Sequence, residues 1–219
     1  MTDAEKAGDS PDRRQKRRLK TRAQLLDATL RLILKKGIDK TTMDAITETA
    51  DLGRRTLYYH FSNKEECILA AVAGAFEKHA SRAEMSADAP SDPAQVVATH
   101  SRLVLSGLLE DPVAKRMVDS PKLLATALDE SVSQFALRDI YNGVEQGRFR
   151  LPMSERLLDR VLIWALTGLL IENAESDVDR EELVSAYTIM VLTNLGLSYD
   201  EAVAADREAA RMLMERKKL

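Results

Sequence analysis

Three times in this chain a side chain suited to capping a helix stands directly before a proline, at Asp92-Pro93, Asp111-Pro112 and Ser120-Pro121. Proline suits the first helical position, where its missing N–H would have no partner anyway, and the Asp or Ser before it accepts from the free amides of the first turn. Helices are therefore predicted to begin near residues 93, 112 and 121. A polar start followed three residues later by an acid recurs at Thr41/Asp44, Ser62/Glu65, Asp179/Glu182 and Ser198/Glu201, each resembling a capping box. No segment keeps the apolar/polar alternation of a strand. The expectation is an all-α chain of about ten helices.

The first helix is expected over 20–36, where Leu26, Leu30 and Ile33 recur at helical spacing and Gly37 provides a left-handed stop. The helix from 121 is predicted to close near Gly147, and RFRLP then breaks the chain before a helix from Ser154 to about 174. Residues 1–12 are small, polar and contain Pro and Gly. With the basic residues that follow they make up a predicted disordered arm, 1–18.

Overall the chain carries 32 basic and 35 acidic residues, a balance that by itself argues against a nucleic-acid partner. The distribution reverses this. Residues 1–66 hold 15 Lys and Arg against 11 Asp and Glu, whereas residues 67–219 hold 17 against 24. Within the first part, residues 13–22 read RRQKRRLKTR, with seven basic residues and no acid. Such asymmetry suggests a small DNA-facing module, 19–66, joined to a larger acidic body, 67–219.

Residues 41–61, TTMDAITETADLGRRTLYYHF, read as a short helix, a tight turn and a second short helix. Met43, Ile46 and Ala50 share one face, and Leu52, Leu57 and Phe61 continue the apolar set through the turn. Arg54, Arg55, Thr56, Tyr58, Tyr59 and His60 remain outward on the second helix. A helix fits the major groove, where Arg can bond both acceptors of guanine, and Thr or an aromatic edge can meet a thymine methyl. Thr42 and Lys64, with the hydroxyls of Tyr58 and Tyr59, suit phosphate oxygens.

These residues resemble the TetR family of bacterial one-component transcriptional repressors. The resemblance covers about 21–69 and rests on Ala50 to Phe61, which lie ungapped on the family's turn and recognition-helix pattern, followed by Ser62-Asn63-Lys64-Glu65-Glu66. Asp51 stands where a turn Gly is usual, Gly53 where a Ser cap is usual, and Arg55 where Gly is common; Arg55 is expected to make a DNA contact of its own. The resemblance also implies that the basic arm, through Arg17, Arg18, Lys20 and Arg22, supplements the major-groove contacts from the minor groove.

For the C-terminal body the resemblance implies a ligand cavity enclosed chiefly by the helices from 93, 121 and 154. His100, Phe135, Trp164 and Thr167, polar or aromatic on apolar segments, are the candidate lining; Met117, Arg138, Asn173 and Tyr187 are weaker ones. Residues 157–171 and 183–195 are apolar around most of their circumference, as expected of helices buried against both their own domain and a twofold partner. The expected function is a homodimeric repressor on a near-palindromic double-stranded operator, released by a small-molecule effector, with the helix over 64–84 linking the two domains. A regulator without a small ligand, controlled by a protein partner, is the alternative.

Other classes fit poorly. Cys67 is the only cysteine, so no intramolecular disulfide and no cysteine zinc site can form, in keeping with a cytoplasmic protein. The longest uncharged stretch, 183–199, contains Ser, Thr, Asn and Gly and falls short of the roughly 20 apolar residues of a membrane span. His60, His79 and His100 are scattered and no Gly-rich phosphate loop is present, so neither a catalytic set, a metal site nor a cofactor is expected.

Overall fold

The computed structural model describes residues 11–85 and 92–216. Among them the chain is all helical, with eleven helices and no strand. It divides into two compact units, Met1–Ala71 and Val72–Leu219.

The first unit holds α1 (Pro11–Lys36), α2 (Met43–Ala50), α3 (Arg54–His60) and the start of α4 (Lys64–Glu84). Leu25, Leu32, Ile46, Leu57, Phe61 and Cys67 form its core, with Met43, Ala50 and Leu52 against them. The apolar spacing read from residues 43–61 is therefore the spacing that closes this core. α1 differs from expectation. Residues 11–18, expected to be disordered, are helical, with 12–18 exposed, while 1–10 lie outside the described residues. Pro11 occupies a helix start, Lys16 pairs with Asp12 at 2.9 Å one turn away, and Arg, Lys, Gln and Leu all extend a helix readily.

Two caps lie one residue later than the pattern suggested. Thr42, not Thr41, accepts from the Ala45 amide at 3.2 Å, because the buried Thr41 hydroxyl instead donates to Gly37 O at 2.9 Å. At α4 the Asn63 side chain accepts from the Glu66 amide at 2.8 Å, and the Glu66 carboxylate returns to the Ser62 amide at 2.7 Å.

The second unit contains the rest of α4 with α5 (Pro93–Glu110), α6 (Pro112–Met117), α7 (Pro121–Ser131), α8 (Ser133–Glu145), α9 (Glu155–Glu175), α10 (Arg180–Asn194) and α11 (Tyr199–Arg216). All three Pro-initiated helices begin at the proline. The helix expected from 121 to 147 is two helices, which raises the count to eleven. Around Val132, Ser131 donates back to Ala127 O and Ser133 donates across to the Asp159 carboxylate, so hydroxyls compete with the backbone where the helix breaks.

α5 runs through the middle of this unit and packs against α8, α9, α10 and α11. Ala94, Val97, Ile140, Phe149, Leu162, Val191 and Leu192 form the core around it. A buried guanidinium ties three helices together: Arg102 of α5 bonds Asp206 of α11 at 2.5 Å and Glu181 of α10, and Ser185 donates to the second Asp206 oxygen at 2.5 Å. No helix among the described residues is long and apolar enough to cross a membrane.

Candidate nucleic-acid interface and internal cavity

The turn before α3 is made by Asp51, whose φ of 52° is left-handed, a region Asp enters more readily than most residues. Its amide bonds Glu48 O and the Leu52 amide bonds Thr47 O at 3.0 Å, which closes α2. Gly53 caps α3 without a side chain. Leu57 and Phe61 are then pulled into the core, and the rest of α3 must face outward.

Tyr58 and Tyr59 are 57% and 70% exposed, so the pair does not cover the small core. Arg54 and Arg55 are exposed as well, Thr56 and His60 half-buried. Arg54 is held by Asp44 of α2 at 2.6 Å. Arg55 makes no ion pair among the described residues and is free to bind. Thr42 is exposed beside α3 and Lys64 half-buried, 4.0 Å from Glu65.

The basic face of α1 adjoins α3. Arg18 lies 5.8 Å from the centroid of the Tyr59 ring and Arg22 lies 5.3 Å from that of Phe61, while Arg17 and Lys20 are exposed. Burial first, then the charges of Arg18 and Arg22, hold the His60 imidazole below its ordinary pKa. At neutral pH His60 is therefore uncharged and can contribute a hydrogen bond rather than a full charge. The reach of Asp44 escaped sequence reasoning: it reads there as the capping-box partner of Thr41, and only the fold shows that it meets Arg54.

Inside the second unit lies a cavity of about 50 Å³, bounded by Val97, Val104, Phe135, Ile140, Leu162 and Leu166 among others. On the same measure one water needs roughly 10–15 Å³, so the space exceeds a packing defect. His100 and Phe135 line it. Trp164 and Thr167 do not, contrary to expectation. Leu162 and Leu166 define the cavity side of α9, and Trp164, two residues beyond Leu162, falls on the opposite side and is 48% exposed. Thr167 is fully buried away from the cavity, with its hydroxyl spent on Ile163 O at 2.8 Å.

Arg138 and Tyr187, the weaker candidates, line the cavity, and Met117 and Asn173 do not. The residue missed was Asp139. Only 7% exposed, its carboxylate accepts from His100 Nδ1 at 2.6 Å and from Arg138 at 2.9 Å. Burial alone would raise its pKa, but the bonds from His100 and Arg138 and their charges outweigh it and leave the carboxyl below its ordinary value. An acid four residues after Phe135, on the same face, was the available signal. Arg138 also bonds Glu84 of α4. Burial, then the charge of Asp159, raises the Tyr187 hydroxyl far above the usual phenol range, so it stays protonated.

On the outer side of α9, Leu157, Val161 and Trp164 form an exposed apolar stripe that continues to Gly168. Among the described residues no group of three or more His, Cys, Asp or Glu side chains is arranged to hold a metal ion.

The profile of bacterial regulatory proteins of the tetR family matches residues 25–71. Residues 25–71 belong to that family. It is 39% identical over 59 residues to the HTH-type transcriptional regulator TtgR of Pseudomonas putida, a stretch covering 27% of this chain and 28% of TtgR. It is 30% identical over 132 residues to the HTH-type transcriptional regulator TcmR of Streptomyces glaucescens, covering 55% of this chain and 58% of TcmR. The matched stretches thus span less than two thirds of these relatives. A larger share of the chain is matched in structure: RolR, solved without ligand, gives a TM-score of 0.72 at 25% identity over 84% of this chain and 95% of its own. RolR has also been solved with its ligand resorcinol.

Proposed function

We propose that this protein is a transcriptional repressor of the TetR type that binds a near-palindromic double-stranded operator as a homodimer and releases it when a small molecule enters the cavity of the second unit. The observation that carries the reading is the outward set on α3: Arg55 and Tyr58 are exposed and uncommitted, and Tyr59 is exposed against Arg18 of the basic face of α1. Arg55 reads base edges, Thr56 and Arg54 support it, and Thr42, Tyr58, Tyr59, His60 and Lys64 set register on phosphates. Arg17, Arg18, Lys20 and Arg22 add phosphate contacts from a helix, which changes their role from the flexible minor-groove reach expected of an arm.

One seven-residue recognition helix offers few contacts, so specificity calls for a second copy. The exposed stripe of Leu157, Val161 and Trp164 supports a twofold partner on α9, since apolar groups this large are stabilised by covering. Residues of α4 serve both the first core, through Cys67, and the cavity, through Ala80, Ala83 and Glu84. A ligand with unequal affinity for the DNA-competent and DNA-incompetent forms lowers operator affinity by that ratio. The cavity favours this reading over control by a protein partner alone.

Selection from random duplex DNA should yield an inverted repeat. On that sequence Arg55→Ala is expected to weaken binding by roughly 5- to 150-fold, equivalent to about 1–3 kcal/mol, with melting temperature unchanged. Failure of the wild type to bind any duplex at low ionic strength would refute the reading.

A further inference from the structure

The chemistry at the polar end of the cavity, where Arg138 and Glu84 are partly exposed, discriminates between ligand charges. Asp139 and Glu84 contribute two carboxylates, and the guanidinium of Arg138 that faces them is already engaged by both. With Asp139 ionised, the His100 Nδ1–H must donate to it, which leaves His100 Nε2 as an acceptor when the ring is neutral. Asp139 Oδ2 accepts only from His100, while Oδ1 takes both Arg138 bonds. A carboxylate offers about four acceptor positions, so Oδ2 retains capacity. The donors left among the lining side chains are the neutral hydroxyls of Ser101 and Tyr187, the one guanidinium is already paired, and apart from Phe135 and the Tyr187 ring the remaining walls are aliphatic.

We propose that the effector cavity takes a small neutral molecule whose O–H donates to Asp139 while its apolar body rests on Phe135, Leu162 and Leu166. It turns away anionic acids, because a ligand carboxylate would meet two fixed carboxylates and find the one cation already paired, with its hydration lost in an apolar space. Positioning falls to Arg138 and His100, which hold the Asp139 carboxylate from two sides. Arg138 also links α8 to α4 through Glu84, so a ligand that draws on Asp139 shifts the strength of that link. The inference rests on the effector reading above but concerns ligand chemistry alone.

The test uses the full chain without DNA, followed by calorimetry and thermal melting with four probes: phenol, cyclohexanol, benzoate and hexanoate. Phenol and cyclohexanol are expected to bind and raise the melting temperature, and benzoate and hexanoate to leave it unmoved. Asp139→Asn should weaken phenol binding at least tenfold while benzoate gains, since repulsion is relieved. If that variant fails to fold, Ala136→Leu, which fills the cavity from its wall, must abolish phenol binding instead. Benzoate binding as tightly as phenol, or no binding by either neutral probe up to its solubility, overturns the proposal. Operator release is scored separately: release by benzoate and not phenol overturns the charge preference and leaves the regulator intact, whereas phenol binding at Asp139 without release upholds the cavity chemistry and counts against the regulator.

Discussion

In residues 11–71 the arginines and tyrosines of α3 stand in open water over a small core, and even the Arg54–Asp44 pair is exposed on both sides. In residues 92–216 the polar groups turn inward: Arg102 onto Asp206, His100 onto Asp139, and the Tyr187 ring into the cavity wall. An outward polar group keeps its hydration until a partner displaces it, so it contributes to binding and hardly to stability. An inward one must be matched by hydrogen bonds or it destabilises the fold, so it fixes which helices meet and where. The contrast gives a rule for substitutions. Changes in the first unit's polar surface should cost affinity, and changes in the second unit's interior should cost stability.

The largest expected effect is on the second unit's core. Phe149 is buried with its ring pressed onto Gly143, so closely that a β-carbon on that glycine would lie 2.1 Å from it. Phe149→Ala is expected to cost about 3–5 kcal/mol, measured by urea unfolding. A loss below about 1 kcal/mol would break the contrast, because it would show that this interior tolerates a void as a surface would.

Next in size is Asp111, which caps α6 through the amides of Val113 at 2.7 Å and Ala114 at 3.4 Å and bonds His79 of α4 at 2.7 Å. Asp111→Ala should cost about 1–3 kcal/mol at neutral pH. Burial acts to raise this carboxyl, but the His79 bond and the amides prevail and its pKa is lowered on folding. A folded value below the unfolded one means the stabilisation is complete above the ordinary carboxylate range and is lost as pH falls through the folded value. The difference between wild type and variant should therefore shrink below about pH 4. A difference that held constant to acid pH would show the cap acting without its charge.

The same contrast explains what could be read in advance. The α3 surface is seven consecutive residues whose outward set is whatever Leu57 and Phe61 leave behind, so local periodicity suffices. The cavity draws on α4, α5, α8, α9 and α10, and no local pattern says which side of a helix will meet the other four. α9 is apolar nearly all round, which is why Trp164 and Thr167 were assigned to the wrong sides. Ser10-Pro11 carries the same Ser-Pro sequence signature that announced α7, yet the small, polar, Pro- and Gly-containing composition of residues 1–12 suggested a loose arm. The break at Val132 depends on Ser133 finding Asp159, a contact 26 residues away in sequence.

The smallest effect concerns the one side chain among the described residues that breaks the inward rule. Thr99, on α5, buries its hydroxyl without a hydrogen-bond partner. Elsewhere the buried threonines spend theirs on a carbonyl one turn back, as Thr29 does on Leu25 O and Thr188 on Val184 O. Thr99→Val replaces the hydroxyl by a methyl of similar volume and keeps the β-branch, so the helix and its packing should persist while the desolvation cost of an unmet donor disappears. A gain of up to about 1 kcal/mol in urea unfolding is expected, with DNA affinity unchanged. A loss of that size instead would mean the hydroxyl has a partner in solution, an internal water being the simplest, and the second unit would then obey the rule without exception.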